Sequence, residues 1–320
     1  MDAAAVARLM DPEIAAALTA LDIPPLDLSP AKLPAMRAER AAQAAAARLS
    51  DRVSRRDIII PGSDGDPDVR LRITRPVDAQ GALGCLYWVH GGGYVSGLVE
   101  QNDPMFDHLC TTLGCTGVSV AYRLSPETPY PGGLHDCYAG LLYAHKHAGE
   151  LGIDPTRLGI GGASAGGGLA AGLGLLARDR GEIPVAFQYL VYPMIDDRQV
   201  TDSSSWDVPV WSPEANTFGW KAYLGDLYGT DAIPPYAAAT RATHLGGLPP
   251  TYIVVGSLDG FLEEDVEYAM RLTRAGVSTE LHVHPGAPHG FDAFLPGTKL
   301  SRRARVSADD WLRRMLDPEH

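Results

Sequence analysis

The stretch Ile160-Gly-Gly-Ala-Ser-Ala-Gly-Gly-Gly-Leu169 constrains this chain most, because Ser164 has glycine at both second neighbours, Gly162 and Gly166. A serine on a sharp strand-to-helix turn needs neighbours without bulk, so that its hydroxyl projects from the sheet edge. The run Arg157-Leu-Gly-Ile160 reads as a short buried strand, and Leu169 to Arg178 as a helix of small and apolar residues. Ser164 is therefore a candidate nucleophile. With 35 glycines in the chain, a glycine-rich turn at a helix start is the plain rival. A dinucleotide fingerprint is set aside, since Ser164 occupies its third glycine position.

Such an elbow needs a sheet around it, and 320 residues suffice to bury one. Apolar residues make up 45% and charged residues 21%, which leaves little room for disorder. A net charge of −12 without a long basic run argues against nucleic acid and stable membrane association as partners. Cys85, Cys110, Cys115 and Cys137 lack zinc-like spacing and follow no secretion signal. Reduced, mostly buried thiols in a cytoplasmic protein are expected, with no metal and no cofactor. No apolar run approaches the roughly 18 residues of a membrane span.

Residues 2 to 20 and 31 to 49 are alanine-rich with helical spacing, separated by the proline-broken segment Asp22 to Pro30. From Asp57 the texture changes to short apolar runs. Ile58 to Ile60 and Val69 to Thr74 read as an antiparallel pair; Leu86 to Val89, Gly117 to Tyr122, Phe187 to Tyr192, Tyr252 to Val255 and Glu280 to His284 follow. Helices are predicted near 104–113, 133–148, 263–275 and 302–315. Strands alternating with helices imply an α/β fold with a mostly parallel, doubly wound sheet. Residues 196–243 interrupt that alternation with aromatics among prolines and glycines. We therefore expect an N-terminal helical cap segment (1–50), a core in two parts (51–195 and 244–320) and a second cap segment (196–243). Trp206, Trp211 and Phe218 of the insertion, with Tyr94 beside a glycine triplet, are candidate walls of an apolar pocket.

A serine hydroxyl needs a base within hydrogen-bond reach and an acid orienting that base. Of ten histidines, His289 stands in Pro285-Gly-Ala-Pro-His-Gly-Phe291, directly after the last predicted strand. His282 and His284 read as wall or surface residues, and His145 and His147 as solvated positions near a helix end. Asp259 occupies the equivalent loop after Tyr252 to Ser257; its plain reading is a helix-start acid. Glu263, Glu264 and Asp265 fit that dipole-stabilising role better. Ser164, Asp259 and His289 thus follow successive strands in the order expected of a triad on such a sheet. His90-Gly91-Gly92-Gly93 follows the strand Leu86 to Val89, so its amides are free to turn toward an oxyanion, with the amide of Ala165 as a further donor.

His90-Gly-Gly-Gly93 with Gly162-Ala-Ser-Ala-Gly166 resembles the hormone-sensitive-lipase-like family of α/β-hydrolase carboxylesterases, and most closely the bacterial heroin esterase type. Tyr122-Arg-Leu-Ser-Pro-Glu127, with Pro131 and Asp136, is similar to the family's segment before the elbow. The resemblance spans about Leu71 to the C-terminus. It implies Ser164 as nucleophile, His289 as base, Asp259 as acid and the amides of Gly92, Gly93 and Ala165 as oxyanion hole. It also implies a small-molecule ester as substrate and suggests a homodimer. The chain departs from the family at Ala163, often aspartate there, and at Asp259-Gly-Phe-Leu-Glu-Glu264, often Asp-Pro-Leu-Arg-Asp-Glu. Hydrolysis of short-chain acyl esters is the expected reaction. An amidase or formamidase on the same triad, and a non-catalytic ligand receptor of the same fold, are the alternatives.

Overall fold

The computed structural model describes residues 1–21, 28–63 and 65–317. Its elements run α1 (Ala3–Leu9), α2 (Pro12–Leu21), α3 (Leu33–Ala45), β1 (Val53–Ile60), β2 (Val69–Pro76), β3 (Leu83–Val89), α4 (Asp103–Leu113) and β4 (Thr116–Ala121). There follow α5 (Gly132–Lys146), α6 (Ala148–Leu151), β5 (Ile153–Ala163), α7 (Ala165–Arg180), β6 (Gln188–Val191), α8 (Pro213–Leu224), β7 (Thr251–Leu258), α9 (Leu262–Arg274), β8 (Thr279–Pro288), α10 (Phe291–Phe294) and α11 (Lys299–Leu316).

The eight strands form one sheet in the order β1-β2-β4-β3-β5-β6-β7-β8. β1 pairs antiparallel with β2 and β2 with β4, whereas the other neighbours are parallel. Such strands must be apolar on both faces, because helices cover each. β3 illustrates this: Tyr87 and Val89 pack among residues of α5 and α7, while Leu86 and Trp88 pack with α4 and α11. The C-terminal ends of the parallel strands thus open on one edge, where chains of this topology place ligands.

Two helical predictions need correction. The stretch 2–20 is two helices, because Pro12 lacks an amide proton and Asp11 caps a new helix through the amides of Glu13 and Ile14. The helix after the elbow begins at Ala165 rather than Leu169, so the three glycines form its first turn. They are there for close approach: a Cβ on Gly166 would lie 2.1 Å from the Val89 carbonyl oxygen, and one on Gly168 2.0 Å from that of Met194. The break predicted over Asp22 to Pro30 lies mostly outside the described residues. All four cysteines are unlinked and buried. Among the described residues, no helix is long and apolar enough to cross a membrane.

The segments outside the sheet settle over its C-terminal edge. Val6 of α1 packs with Val208 and Leu258, and Ile14 of α2 with Ala287, Phe291 and Leu300. Arg37 of α3 donates to the carbonyls of Val95 and Ser125 and forks onto Glu127, which fastens α3 to the segment after β3. Trp220, Tyr223 and Leu224 of α8 join the same buried cluster as Tyr94 and Leu134.

Candidate active site

Ser164 sits between β5 and α7 with φ 57° and ψ −123°, a backbone conformation that costs a residue with a side chain about 1–3 kcal/mol. Hydrogen bonds over-determine it. Its amide donates to the Val191 carbonyl at 2.9 Å, and its own carbonyl accepts from Gly168 at 3.0 Å and Met194 at 2.9 Å. The hydroxyl, on a side chain only 7% exposed, stands 2.9 Å from Nε2 of His289.

His289 directly follows β8, which runs on to Pro288, past the predicted end at His284. Its Nδ1 lies 2.8 Å from Oδ2 of Asp259, and both residues are buried. The other Asp259 oxygen accepts from the Phe261 amide at 3.0 Å, a local turn that fixes the carboxylate's rotation. Phe261 and Tyr192 each stand edge-on to the imidazole, with ring centroids 5.1 Å and 4.7 Å away, and Trp211 leans on it at 6.3 Å. The Tyr192 hydroxyl donates to Asp292 at 3.0 Å, three residues beyond His289. Neither Tyr192 nor Asp292 stood out in the sequence; only the fold brings them to the ring.

The glycine triplet passes beside the elbow. A Cβ on Gly91 would touch the Ala163 carbonyl oxygen at 2.7 Å, and Gly93, at φ 62°, is covered by the Trp211 ring. The amides of Gly92 and Gly93 donate to no protein acceptor among the described residues. The amide of Ala165, first in α7, belongs to the orphan donors of a helix start, where the helix dipole also favours negative charge. His90 anchors this loop from below: its ring stacks on Tyr122 at 4.3 Å, and the Tyr122 hydroxyl donates to the His90 carbonyl. Burial pushes the His90 imidazole down to about 4, so it is neutral near pH 7.

The remaining predicted residues part company. Trp211 lies against Gly93, its Nε1 donating to Asn216, and Trp206 lines a small cavity with Trp211, Pro213 and Phe261. Phe218 is half-buried on α8. Tyr94 is buried in the core instead, stacked on Tyr223 at 4.0 Å with its hydroxyl on the Met194 carbonyl. The cavity beside Trp211 leaves about 10 Å³, roughly the room of one water. A groove of about 690 Å³ lies elsewhere, lined by Pro61, Tyr138, Lys146 and Arg180 and sharing no residue with Ser164, Asp259 or His289.

Two of the three acids at the start of α9 are buried. Glu263, Glu264 and Asp265 are in the first turn of α9, yet only Glu263 is exposed. Glu264 accepts from the amides of Ile195 and Asp196, and burial raises both its carboxyl and that of Asp265 well above the usual range. Glu264 thus ties α9 to the backbone after β6. His284, expected at a wall or surface, is also buried, beside Phe291, and burial lowers its imidazole to about 4. Among the described residues, no group of three or more histidines, cysteines or acids is arranged to hold a metal ion.

A family model described as alpha/beta hydrolase fold matches residues 86–293. Carboxylesterase NlhH of Mycobacterium tuberculosis is 35% identical over 236 residues, 73% of this chain and 74% of its own length. An arylesterase of Saccharolobus solfataricus is 31% identical over 244 residues, covering 75% and 78%. Among solved structures, a bacterial heroin esterase superposes with a TM-score of 0.92 at 46% identity, covering 97% of this chain and 98% of that one.

Proposed function

Because the chain belongs to the α/β-hydrolase-fold family, in its hormone-sensitive-lipase-like branch, we propose that it is a serine carboxylesterase acting on small, short-chain acyl esters. One observation carries the reading: a single imidazole bonds the Ser164 hydroxyl through Nε2 and the Asp259 carboxylate through Nδ1. Asp259 holds the tautomer whose Nε2 is free to accept a proton, and it stabilises the imidazolium that results. Ser164 Oγ attacks the ester carbonyl carbon as its proton passes to His289. The carbonyl oxygen becomes an oxyanion that the amides of Gly92, Gly93 and Ala165 face; each such donor is worth about 10²- to 10³-fold in rate.

Collapse of this intermediate breaks the bond to the alcohol oxygen, which leaves with the imidazolium proton. Water, deprotonated by the same imidazole, then attacks the acyl-serine and releases a carboxylic acid and the free hydroxyl. The burial of Ser164 and His289 beneath the rings of Trp211, Tyr192 and Phe261 supports small acyl groups, with the segments over the sheet edge serving as the cap. Ser164→Ala, assayed on p-nitrophenyl esters of increasing acyl length, is expected to lose about 10⁶-fold in kcat on every ester. The wild type should turn over acetyl and butyryl esters fastest. Undiminished turnover by the variant would sink the assignment, and a wild-type optimum at long chains would sink the size preference.

A further inference from the structure

Among the described residues, the Asp259 carboxylate is hydrogen-bonded from outside its own loop only by His289; its second oxygen accepts from the Phe261 amide of the same loop. The carboxylate can therefore be no better placed than the loop. That loop is a tight turn, with the Leu262 amide on the Asp259 carbonyl, and its second position is Gly260, the residue least able to fix a backbone. Something else must hold it.

The holding group comes from the insertion. Ser203, wholly buried in a 3₁₀ turn over Ser203–Ser205, donates through its hydroxyl to the Gly260 carbonyl at 3.1 Å. The same oxygen accepts from the Glu263 amide at 3.2 Å and lies 3.3 Å from the Thr201 hydroxyl. The Ser203 amide in turn donates to the Glu263 carboxylate at 2.6 Å. One serine thus ties both ends of the segment that follows Asp259. We infer that Ser203 is a positioning residue for the triad acid, so that the insertion sets the aim of Asp259 and does not merely roof the site. This inference rests on the role proposed above for Asp259.

The turn geometry supplies a discriminating test. Phe261 has φ −89° and ψ 0°, the third-position values of a type I turn, whose second position favours proline. Gly260 has no left-handed φ, its amide donates to no protein group among the described residues, and an added Cβ would meet only the Ser203 carbonyl oxygen at 3.7 Å. Gly260→Pro should therefore stiffen the loop and replace what Ser203 provides. With p-nitrophenyl acetate, Ser203→Ala is expected to lower kcat about 10-fold with KM little changed, and Glu263→Ala, at an exposed site, about 3-fold. Adding Gly260→Pro to Ser203→Ala should recover most of the lost kcat. A wild-type kcat in both single variants, a change confined to KM, or no recovery in the double variant would overturn the inference. Asp259→Asn separates the two levels. If it is inactive while Ser203→Ala is unimpaired, only this inference fails, whereas an active Asp259→Asn removes its premise.

Discussion

The nucleophile elbow and the acid loop lie two strands apart on the same sheet edge, and they are held by different means. At the elbow close steric contact is added to the backbone hydrogen bonds on Ser164: a Cβ on Gly162 would stand 2.2 Å from the Gly166 carbonyl oxygen, and α7 starts at the next residue after Ser164. At the acid loop the restraint is a set of hydrogen bonds from Ser203, 57 residues earlier than the Gly260 it grips. A motif built on excluded volume announces itself in the sequence. One built on a distant partner does not.

The contrast can be broken at several points. Asp259→Asn should leave the loop in place, since the Asx turn survives, while presenting the wrong partner to Nδ1; kcat on p-nitrophenyl acetate is expected to fall about 10⁴-fold. A small loss there would mean that the loop's placement matters little to the chemistry. Next in size is a pH effect beneath the oxyanion loop. His90 is neutral in the fold down to about pH 4, whereas in the unfolded chain it takes up a proton near its ordinary 6.5. The unfolded state therefore binds more protons within that window. The stability this supplies is complete above pH 6.5 and is lost as pH falls toward 4, about 3 kcal/mol in all. Urea unfolding of wild type and His90→Asn across the window measures it: the wild type should lose more stability on acidification, and parallel losses would refute the assignment. The smallest effect is at the elbow itself. Gly166→Ala pushes a methyl into the Val89 and His90 carbonyl oxygens at 2.1 and 2.5 Å, and it should cost about 1–3 kcal/mol in thermal or urea unfolding. Full stability would show that the elbow is less tightly packed than these distances require.

The same contrast explains which parts of the molecule were readable in advance. Ser164, Asp259 and His289 could be placed because each follows a strand, and strands declare themselves by runs of apolar residues bounded by glycine and proline. The first turn of α7 was missed because three glycines in a row are poor helix formers; here helix packing against Met194 and the β3 end outweighs propensity. Glu263, Glu264 and Asp265 fall in the first turn of α9 as their pattern implied, but the pattern did not tell which of them face inward. The burial of Glu264 follows from the path of the chain at Ile195 and Asp196 across the start of α9, where two backbone amides need an acceptor. Tyr94 was read as a pocket wall from its position after the glycines, but its left-handed backbone at φ 64° accompanies a side chain buried in the core beneath α8.

By itself the sequence determined the doubly wound core, the elbow and the order of the three polar residues along it, since glycine contacts and strand alternation act over a few residues. The tertiary structure alone decided which side chains surround the imidazole, which acids lie in the interior and what steadies Asp259. Those outcomes depend on groups brought together from opposite ends of the chain, and a hydrogen bond or a ring contact leaves no trace in either partner's local pattern.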